Sequence, residues 1–479
     1  MAKKKASPKK ANSEASKKVS AGSGTKSKIE VRQGSHTPKM AKRAGFPSLS
    51  LPQGWFSALV FFLVCVLLFY PPYFRGLFFD KELLPTHVIT ALIYGLVWVD
   101  KFRRRDLRFI QNPLDYAVLA YAGAYLLSLI GAVHIGDAIK GFFKALNYFM
   151  IYWMVTQVVQ DYRRYETVLQ VLFASALGVA AIGIAAATGY SHYPGAFEDG
   201  HILSTLQYHN TTAVYMGVMA IAGITLWIRA NRLPVRLIYG ISTAVMVLVA
   251  VAAISKGGWI VLILGGLLLL AGMPGIFRLR AMYTLGGAFA AALIGAVYFT
   301  PAISARDNAM AFRGLAVLAI TLIMLELAWE GLLFLHRRVG TKAVVAAVLL
   351  LVIAAVAQIP FRSANIDKLL PSRLITEAKE VGDIENSSYV TRLEFNYTAL
   401  RIVKDHPIFG TGAGGWNALY HQYLGFPFWT TEVHDHFLQV WVEAGTVGFV
   451  AFLAMWVFLA YNLWRLHRVR PPQDEWAMN

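Results

Sequence analysis

The sequence is poor in cysteine and in charged residues, and each shortage excludes a class of protein. Its 479 residues include a single cysteine, Cys65, so neither a disulfide nor a multi-cysteine metal site can form within one chain. Charged residues make up 15% and hydrophobic residues 57%, whereas soluble domains carry roughly 25% charged residues. Because water alone cannot solvate so apolar a chain, the composition predicts an integral membrane protein.

Acidic residues are also scarce, since 27 Asp and Glu face 45 Lys and Arg in a chain of net charge +18. Residues 1–50 hold 13 Lys and Arg against Glu14 and Glu30, among Ala, Ser and Gly, and such a segment is expected to be disordered. A basic tail beside a membrane span typically sets topology and contacts anionic headgroups. We therefore expect membrane lipids, and not nucleic acid, as its partners.

Apolar runs of about 20 residues recur along the chain, and each can cross the roughly 30 Å hydrocarbon core. They predict an all-α, polytopic membrane protein of about twelve transmembrane helices. The fourth run is the weakest, because Lys140, Lys144 and Asn147 interrupt it. A retained first helix is expected, since 50 polar residues precede a run longer than a signal core. The predicted spans are 55–72, 84–100, 113–133, 139–160, 166–188, 212–229, 235–254, 257–273, 281–299, 314–335, 342–359 and 434–464.

The charges of the short connections predict the orientation. With a cytoplasmic N-terminus, the inside segments carry 18 Lys and Arg and the short outside segments carry six, as the positive-inside rule requires. The chain is thus predicted to lie in the cytoplasmic (inner) membrane with both termini cytoplasmic. The predicted domains are a tail (1–50), a membrane domain of about eleven helices (51–359), an extracytoplasmic loop with short helices (360–433), the last transmembrane helix (434–464) and a tail (465–479).

The extracytoplasmic loop contains a glycine-rich turn. Gly410, Gly412 and Gly415 match the spacing G-x-G-x-x-G, but no strand precedes them, so a dinucleotide site is not expected. A tight turn that folds the loop back onto the bundle is the preferred interpretation.

A histidine pair follows the loop, in the segment from His434 to Gln439. Residues two apart on a helix point about 200° apart, so His434 and His436 do not share a metal ion, and no H-E-x-x-H motif is present. One interpretation is a helix start at Asp435. The other is His434 as a general base at a polar mouth, since histidine titrates near pH 6.5.

Polar and basic residues gather on the same predicted outer face. Lys256 either extends to lipid headgroups or binds a diphosphate, and Arg392 is a second candidate cation. Arg401 lies nine residues after Arg392, about 2.5 helical turns, so the two point to opposite sides. Gln207 and Asn210 open the sixth span, either as helix caps or as substrate contacts.

In order, spacing and sidedness these motifs resemble the O-antigen ligase family, which includes O-antigen polymerases. The resemblance runs from about residue 200 to 450. It rests on Gln207-Tyr208-His209-Asn210, Ser255-Lys256-Gly257-Gly258-Trp259, Arg392, Asp405-His406-Pro407-Ile408-Phe409-Gly410-Thr411-Gly412 and His434-Asp435-His436-Phe437-Leu438-Gln439 with Gly445.

The resemblance implies a glycosyltransferase-C-like bundle that transfers a glycan from a polyprenyl diphosphate carrier to a lipid or glycan acceptor at the outer face, without cofactor or metal. By position it implies that His434 is catalytic and that Lys256 and Arg392 bind the diphosphate. Gln207, Asn210, Arg401 and His436 are candidate acceptor or donor contacts.

Three positions depart from the family pattern. Lys256 replaces the usual arginine and removes a bidentate contact. His209 replaces a usual proline. Asp435 replaces a common asparagine, and its negative charge is expected to raise the pKa of His434.

Three alternative functions remain open from the sequence, and one of them is a degenerate family member that acts as a scaffold. A repeat-unit polymerase of a surface polysaccharide uses the same donor and base and differs in its acceptor. A membrane transporter or flippase places ionisable groups near the membrane midplane, where Lys144 and Glu326 are the main candidates.

Overall fold

The computed structural model describes residues 54–339, 387–425 and 428–468, and almost all regular structure there is helical. The first seven helices are α1 (Trp55–Phe69), α2 (Asp80–Arg103), α3 (Pro113–Leu127), α4 (Ile135–Val158), α5 (Tyr162–Ala187), α6 (His209–Arg229) and α7 (Leu233–Ala252). The next six are α8 (Lys256–Gly272), α9 (Gly275–Ala305), α10 (Asn308–Val339), α11 (Ser387–Asp405), α12 (Gly415–Tyr423) and α13 (His436–Arg468). A short antiparallel ladder between α5 and α6 pairs β1 (Phe197–Glu198) with β2 (His201–Ile202). The predicted all-α class is confirmed.

Nine of the helices in the described ranges are long and apolar enough to cross a membrane, namely α1, α2, α3, α5, α6, α7, α9, α10 and α13. Two other predicted spans also form helices: α4, which carries the two lysines and the asparagine of the weakest run, and α8, which is 17 residues long. The predicted span 342–359, the tail 1–50 and residues 360–386 lie outside the described residues. A multi-pass membrane protein is confirmed, whereas the number twelve stays a prediction.

Polar residues at the helix ends explain where several helices begin. Asn112 and Asp115 form a capping box around the first turn of α3, with Pro113 at the first helical position. Ser255 caps α8 by accepting a hydrogen bond from the Gly258 amide. Since these caps satisfy amides that have no partner within the helix, they fix the ends of the helices next to the loops.

Two apolar cores divide the bundle. The first core contains residues from all six helices from α5 through α10. The second contains residues from the four helices α1 through α4 and from α13. The last helix therefore returns to the first half of the chain, where it packs along α3. A third, smaller cluster joins α11, α12 and the start of α13 around the fully buried Phe395, Trp416 and Tyr420. This arrangement fixes the segment before α13, through Val433, against α11 and α12.

Helix α11 does not bury the face on which Leu393, Tyr397 and Leu400 lie. Leu393, Tyr397 and Leu400 fall on one face but are exposed, whereas Phe395 and Ile402 are buried. The aromatic partners Trp416 and Tyr420 come from α12, which is not visible in the periodicity of α11 alone.

The glycine-rich turn inserts into a break in α13. Gly445 has φ 62° and ψ −168°, which interrupts the helical hydrogen bonds. The freed carbonyls of Val442 and Glu443 accept the amides of Thr411 and Gly412, each at 2.9 Å. On the other side of the break, the amide of Thr446 donates to Pro407 O (2.8 Å).

This exchange satisfies backbone groups that a break within a membrane helix would otherwise leave without partners. It also requires glycine, because a Cβ on Gly410 would lie 2.4 Å from the Gly445 amide nitrogen. The turn is therefore a structural junction, and the amides of Thr411, Gly412 and Gly414 are already bonded to α13.

A buried ionic cluster ties α6, α7, α9 and α10 together. Glu326 accepts hydrogen bonds from Trp227 Nε1 (2.6 Å) and Arg280 Nη2 (2.5 Å), and Arg236 Nε lies 3.4 Å from its second oxygen. Arg236 also pairs with Glu330. Because the cations face carboxylates, the mid-span charge of Glu326 is compensated within the bundle.

Candidate functional site

His434 lies in the turn that leads into α13, with its backbone in the left-handed region (φ 64°). Its ring packs nearly parallel to that of Phe395 on α11, with centroids 5.9 Å apart. Its Nε2 atom lies 3.4 Å from the Thr430 hydroxyl. A non-glycine residue at positive φ is uncommon and costs free energy unless the surroundings hold it. The turn thus orients this side chain through both α11 and the preceding loop.

The turn around His434 is fixed by polar contacts on either side. The Thr430 hydroxyl donates to Glu432 O (2.7 Å), and the Val433 amide donates to Gln439 Oε1 (2.8 Å). Asp435 Oδ1 accepts the amides of Phe437 (2.9 Å) and Leu438 (3.2 Å). Asp435 is therefore the cap of α13, as the helix-start interpretation of this segment predicts.

The electrostatic surroundings of His434 differ from the expected ones. Burial lowers the pKa of His434, and the positive charge of Arg392 lowers this pKa further. The expectation that Asp435 raises this pKa is wrong, because the Asp435 carboxylate is directed at the α13 amides. With a pKa below the usual 6.5, the imidazole is neutral at neutral pH and can accept a proton.

The two arginines of α11 differ in their surroundings. Arg392 is one helical turn from Phe395, on which His434 packs, and its charge acts on the imidazole. Arg401 donates to Tyr423 O (3.0 Å) and lies 3.6 Å from Glu394. Arg401 is thus engaged with α12 and its own helix.

A cavity of about 710 Å³ opens beside His434. It is lined by Pro71, Arg75, Gly76, Leu77, Phe78, Phe79, Leu83, Lys144, Asn147, Tyr148, Ile151, Leu206, Gln207, Tyr208, Thr211, Thr431, Glu432 and His434. Its walls come from the α1–α2 connection, α4, the start of α6 and the turn before α13. This volume lies within the roughly 300–1,000 Å³ of small-molecule sites.

The cavity brings together only part of the predicted site. Gln207 and His434 line it, although 227 positions separate them. His436 lines an adjoining cavity. Among the described residues that line these two cavities, Lys256, Arg392 and the remaining predicted contacts are absent.

The two predicted motifs of α6 and α8 pack against each other. Asn210 Oδ1 accepts the Ser255 hydroxyl at 2.6 Å, and His209 Nδ1 lies 3.2 Å from Ala253 O. Gln207 donates to Pro194 O at 2.5 Å. Asn210 therefore links the start of α6 to the cap of α8, directly before Lys256.

Three charged residues of the cavity were not predicted as site residues. Arg75 lies 4.1 Å above the Phe79 ring and pairs with Glu82, which offsets its charge. Lys144 forms no ion pair with the part of the chain that is described. Its signal in the sequence was the interruption of the fourth apolar run. No comparable signal marked Glu432, because its place in the site depends on how the loop folds.

The Glu432 carboxyl has an unusual protonation equilibrium. It borders the cavity, and the surrounding protein raises its pKa to about 7 by removing water. Glu443 raises the pKa further, and Lys144 opposes the increase. A carboxyl that is partly protonated at neutral pH can both donate and accept hydrogen bonds.

The fold and cavity together define a multi-pass membrane protein with a polar site between helix ends, lined in part by the basic side chains of Arg75 and Lys144. Residues 308–453 match the family model described as O-antigen ligase. The resemblance predicted from the sequence is confirmed.

The matched segment contains Arg392, Arg401, His434 and His436 and spans less than a third of the chain. The earlier motifs, around Gln207 and Lys256, lie before it. Searches of curated proteins and of solved structures found no match.

Proposed function

We propose that this protein transfers a glycan from a polyprenyl diphosphate carrier to an acceptor hydroxyl at the outer face of the cytoplasmic membrane. One observation carries the proposal: His434, with a lowered pKa, faces a 710 Å³ cavity that also contains Lys144, Arg75 and Gln207. A base and cations beside one cavity suit a reaction that removes a proton and releases an anion.

In the proposed reaction, His434 accepts the proton of the acceptor hydroxyl while that oxygen attacks the anomeric carbon. A new glycosidic C–O bond forms, and the bond between the anomeric carbon and the diphosphate oxygen breaks. The diphosphate leaves with the bonding electron pair. Because the attacking and leaving oxygens lie on opposite sides of the carbon, a single displacement inverts the anomeric configuration.

Cations stabilise the departing diphosphate in this scheme. Lys144 borders the cavity without an ion pair among the described residues and is the best-placed point charge. Arg392 lies beside His434 and can contact a phosphate that extends beyond the cavity. Lys256, which follows Ser255 at the start of α8, is the third proposed cation.

The apolar part of the cavity wall suits the carrier. Leu77, Phe79, Ile151 and Leu206 lie along it, and polyprenyl chains are hydrocarbon. The same cavity thus offers apolar contacts to the lipid and polar contacts to its headgroup.

The test uses the purified full chain in detergent, with EDTA, a polyprenyl diphosphate oligosaccharide pool and the glycolipid fraction of the same cells. We expect release of polyprenyl diphosphate that depends on the added acceptor. Product length then separates a ligase, which transfers one chain, from a polymerase, which lengthens the glycan. Failure of the folded protein to release polyprenyl diphosphate with this acceptor fraction would contradict the proposal.

The transporter alternative predicts another result in the same system. It requires uptake of a labelled carrier or solute into proteoliposomes without cleavage of the diphosphate bond. Glu326, one of its two candidate residues, is enclosed by Arg236, Arg280 and Trp227. This compensation favours a structural role for Glu326, and hence the transferase.

A further inference from the structure

A second cavity, of about 390 Å³, adjoins the first. The two share the side chains of Phe78, Leu83, Lys144, Tyr148 and Glu432. The remaining wall of the second cavity includes Asp80, Tyr121, Tyr125, His436, Gln439 and Glu443. Glu432 and Lys144 therefore stand at the boundary between the two spaces.

The two cavities differ in chemistry. The aliphatic residues of the first suit a hydrocarbon chain, whereas the second combines tyrosines with acidic, basic and amide side chains. Sugars present hydroxyls that both donate and accept hydrogen bonds, and apolar C–H faces that pack on aromatic rings. The second cavity matches a sugar better than a lipid.

Part of this polar wall is committed to holding the fold. Glu443 accepts from Tyr125 Oη (2.9 Å), the Gly414 amide (3.2 Å) and Gln439 Nε2 (2.8 Å). These contacts join α3, the glycine-rich turn and α13 behind the cavity. They make the rear wall rigid and leave Glu443 little capacity for a ligand.

Other polar groups at the boundary remain available to a ligand. Within the described parts of the chain, the side chains of Glu432, Lys144, Tyr148 and His436 form no hydrogen bond or ion pair. All four line the second cavity. They offer a carboxyl, an ammonium, a phenol and an imidazole, which together can bind several sugar hydroxyls.

We infer that the 390 Å³ cavity is the subsite for the acceptor sugar, with Glu432 and His436 as the residues that position it. The inference rests on the proposed glycan transfer and assigns its acceptor side. Glu432 is two residues before His434 in the same turn, so a sugar bound here presents a hydroxyl across the shared boundary. The lipid diphosphate occupies the larger cavity, on the other side of the anomeric carbon.

The first test measures how acceptor concentration affects polyprenyl diphosphate release, with the glycolipid fraction of the same cells as acceptor. His436→Ala and Glu432→Ala each remove one hydrogen-bonding partner, which corresponds to about a five- to tenfold rise in KM for the acceptor. The turnover at saturating acceptor and the KM for the donor are expected to stay within threefold. His421→Ala, on α12 outside both cavities, is the matched control.

A second experiment, the NMR arm, measures binding of the acceptor sugar and does not require turnover. The probe is the oligosaccharide freed from that glycolipid fraction by mild acid, observed by saturation-transfer NMR. Wild type and His421→Ala are expected to bind it, and both site variants are expected to lose most of the signal. Unchanged acceptor KM, together with equal binding by all four proteins, would overturn the subsite.

The arms separate the two proposals. Absence of polyprenyl diphosphate release by wild type would contradict the proposed function, while the NMR arm would still decide on the sugar subsite. Thermal denaturation shows whether each variant is folded. If one variant is not folded, the other provides the comparison.

Discussion

At the scale of single residues, the site depends on the surroundings of His434 more than on its neighbour in sequence. Its ring packs on Phe395, and the charge of Arg392 lowers its pKa. Arg392 disfavours the protonated imidazole, so the base is kept in the state that accepts a proton. Arg401, on the same helix, is held by Tyr423 and Glu394 instead.

This difference gives a prediction for pH dependence. Activity is expected to fall at low pH as His434 becomes protonated. Replacing Arg392 by methionine removes a positive charge that lowers the pKa of His434, so this pKa rises and the acidic limb moves to higher pH. The measurement is the position of the limb in normalised pH–rate profiles of Arg392→Met and Arg401→Met.

Arg401→Met is the matched control, and its acidic limb is expected to coincide with that of wild type. The comparison uses the pH at which the acidic limb falls and not the maximal rate. It therefore separates the electrostatic effect on His434 from any loss of diphosphate binding. A limb that moves equally in both variants, or in neither, would contradict the role of Arg392.

Residue patterns predicted some of this site and not the rest. Gln207 and His434 were identified because they lie in short motifs with a common sidedness, and both line the cavity. Lys144 and Glu432 were not identified as site residues. Lys144 lies within a weak span and Glu432 lies in a loop, and the two border one cavity only because the fold brings α4 next to the turn before α13. The predicted effect of Asp435, a raised pKa of His434, was wrong for a similar reason. The Asp435 carboxylate caps α13 by accepting the amides of Phe437 and Leu438.

At the scale of secondary-structure elements, the break in α13 joins the loop to the membrane bundle. The glycine-rich turn was predicted to fold the loop back, but the partner of the turn was not predictable. A single glycine, Gly445, within a long apolar run gives no sign that the helix opens there. The hydrogen bonds from Thr411 and Gly412 to α13 show why both segments need glycine.

Gly445→Ala is expected to destabilise this junction. The backbone there (φ 62°, ψ −168°) is nearly restricted to glycine, and a Cβ would lie 2.2 Å from Ile408 O. Strain of this kind costs on the order of 1–3 kcal/mol. A lowered apparent unfolding temperature in detergent, measured by intrinsic fluorescence, is the expected result.

The control for this substitution is Gly95→Ala within α2. A Cβ at Gly95 meets no atom within 4 Å, and alanine is the better helix former by roughly 0.5–1 kcal/mol. Gly95→Ala should therefore match or exceed wild type. Equal unfolding temperatures for Gly445→Ala and wild type would show that the break is not needed.

At the scale of the whole molecule, composition and run length predicted the class, and charge counting predicted the orientation. The helices confirm a multi-pass membrane protein, and the orientation stays a prediction. The site residues gather at one end of the bundle, where α1 and α3 end and α2, α4, α6 and α13 begin. The proposed function requires this end to face outward.

Cysteine labelling in intact cells tests the orientation. The chain has one cysteine, Cys65, which is buried, so Cys65→Ser gives a clean background. In that background, Trp429→Cys lies near the site and is expected to react with a membrane-impermeant maleimide. Arg105→Cys, at the opposite helix ends, should react only after permeabilisation. The reverse pattern would place the site in the cytoplasm and contradict the proposed orientation.

The most direct test of the central claim is polyprenyl diphosphate release by His434→Ala beside wild type and His421→Ala, with EDTA present. A general base contributes roughly 10²–10⁴-fold, so His434→Ala is expected to lose at least about 100-fold in acceptor-dependent release. His421→Ala should retain the wild-type rate. Equal rates for a folded His434→Ala and wild type would contradict the role of His434 as the base at this site.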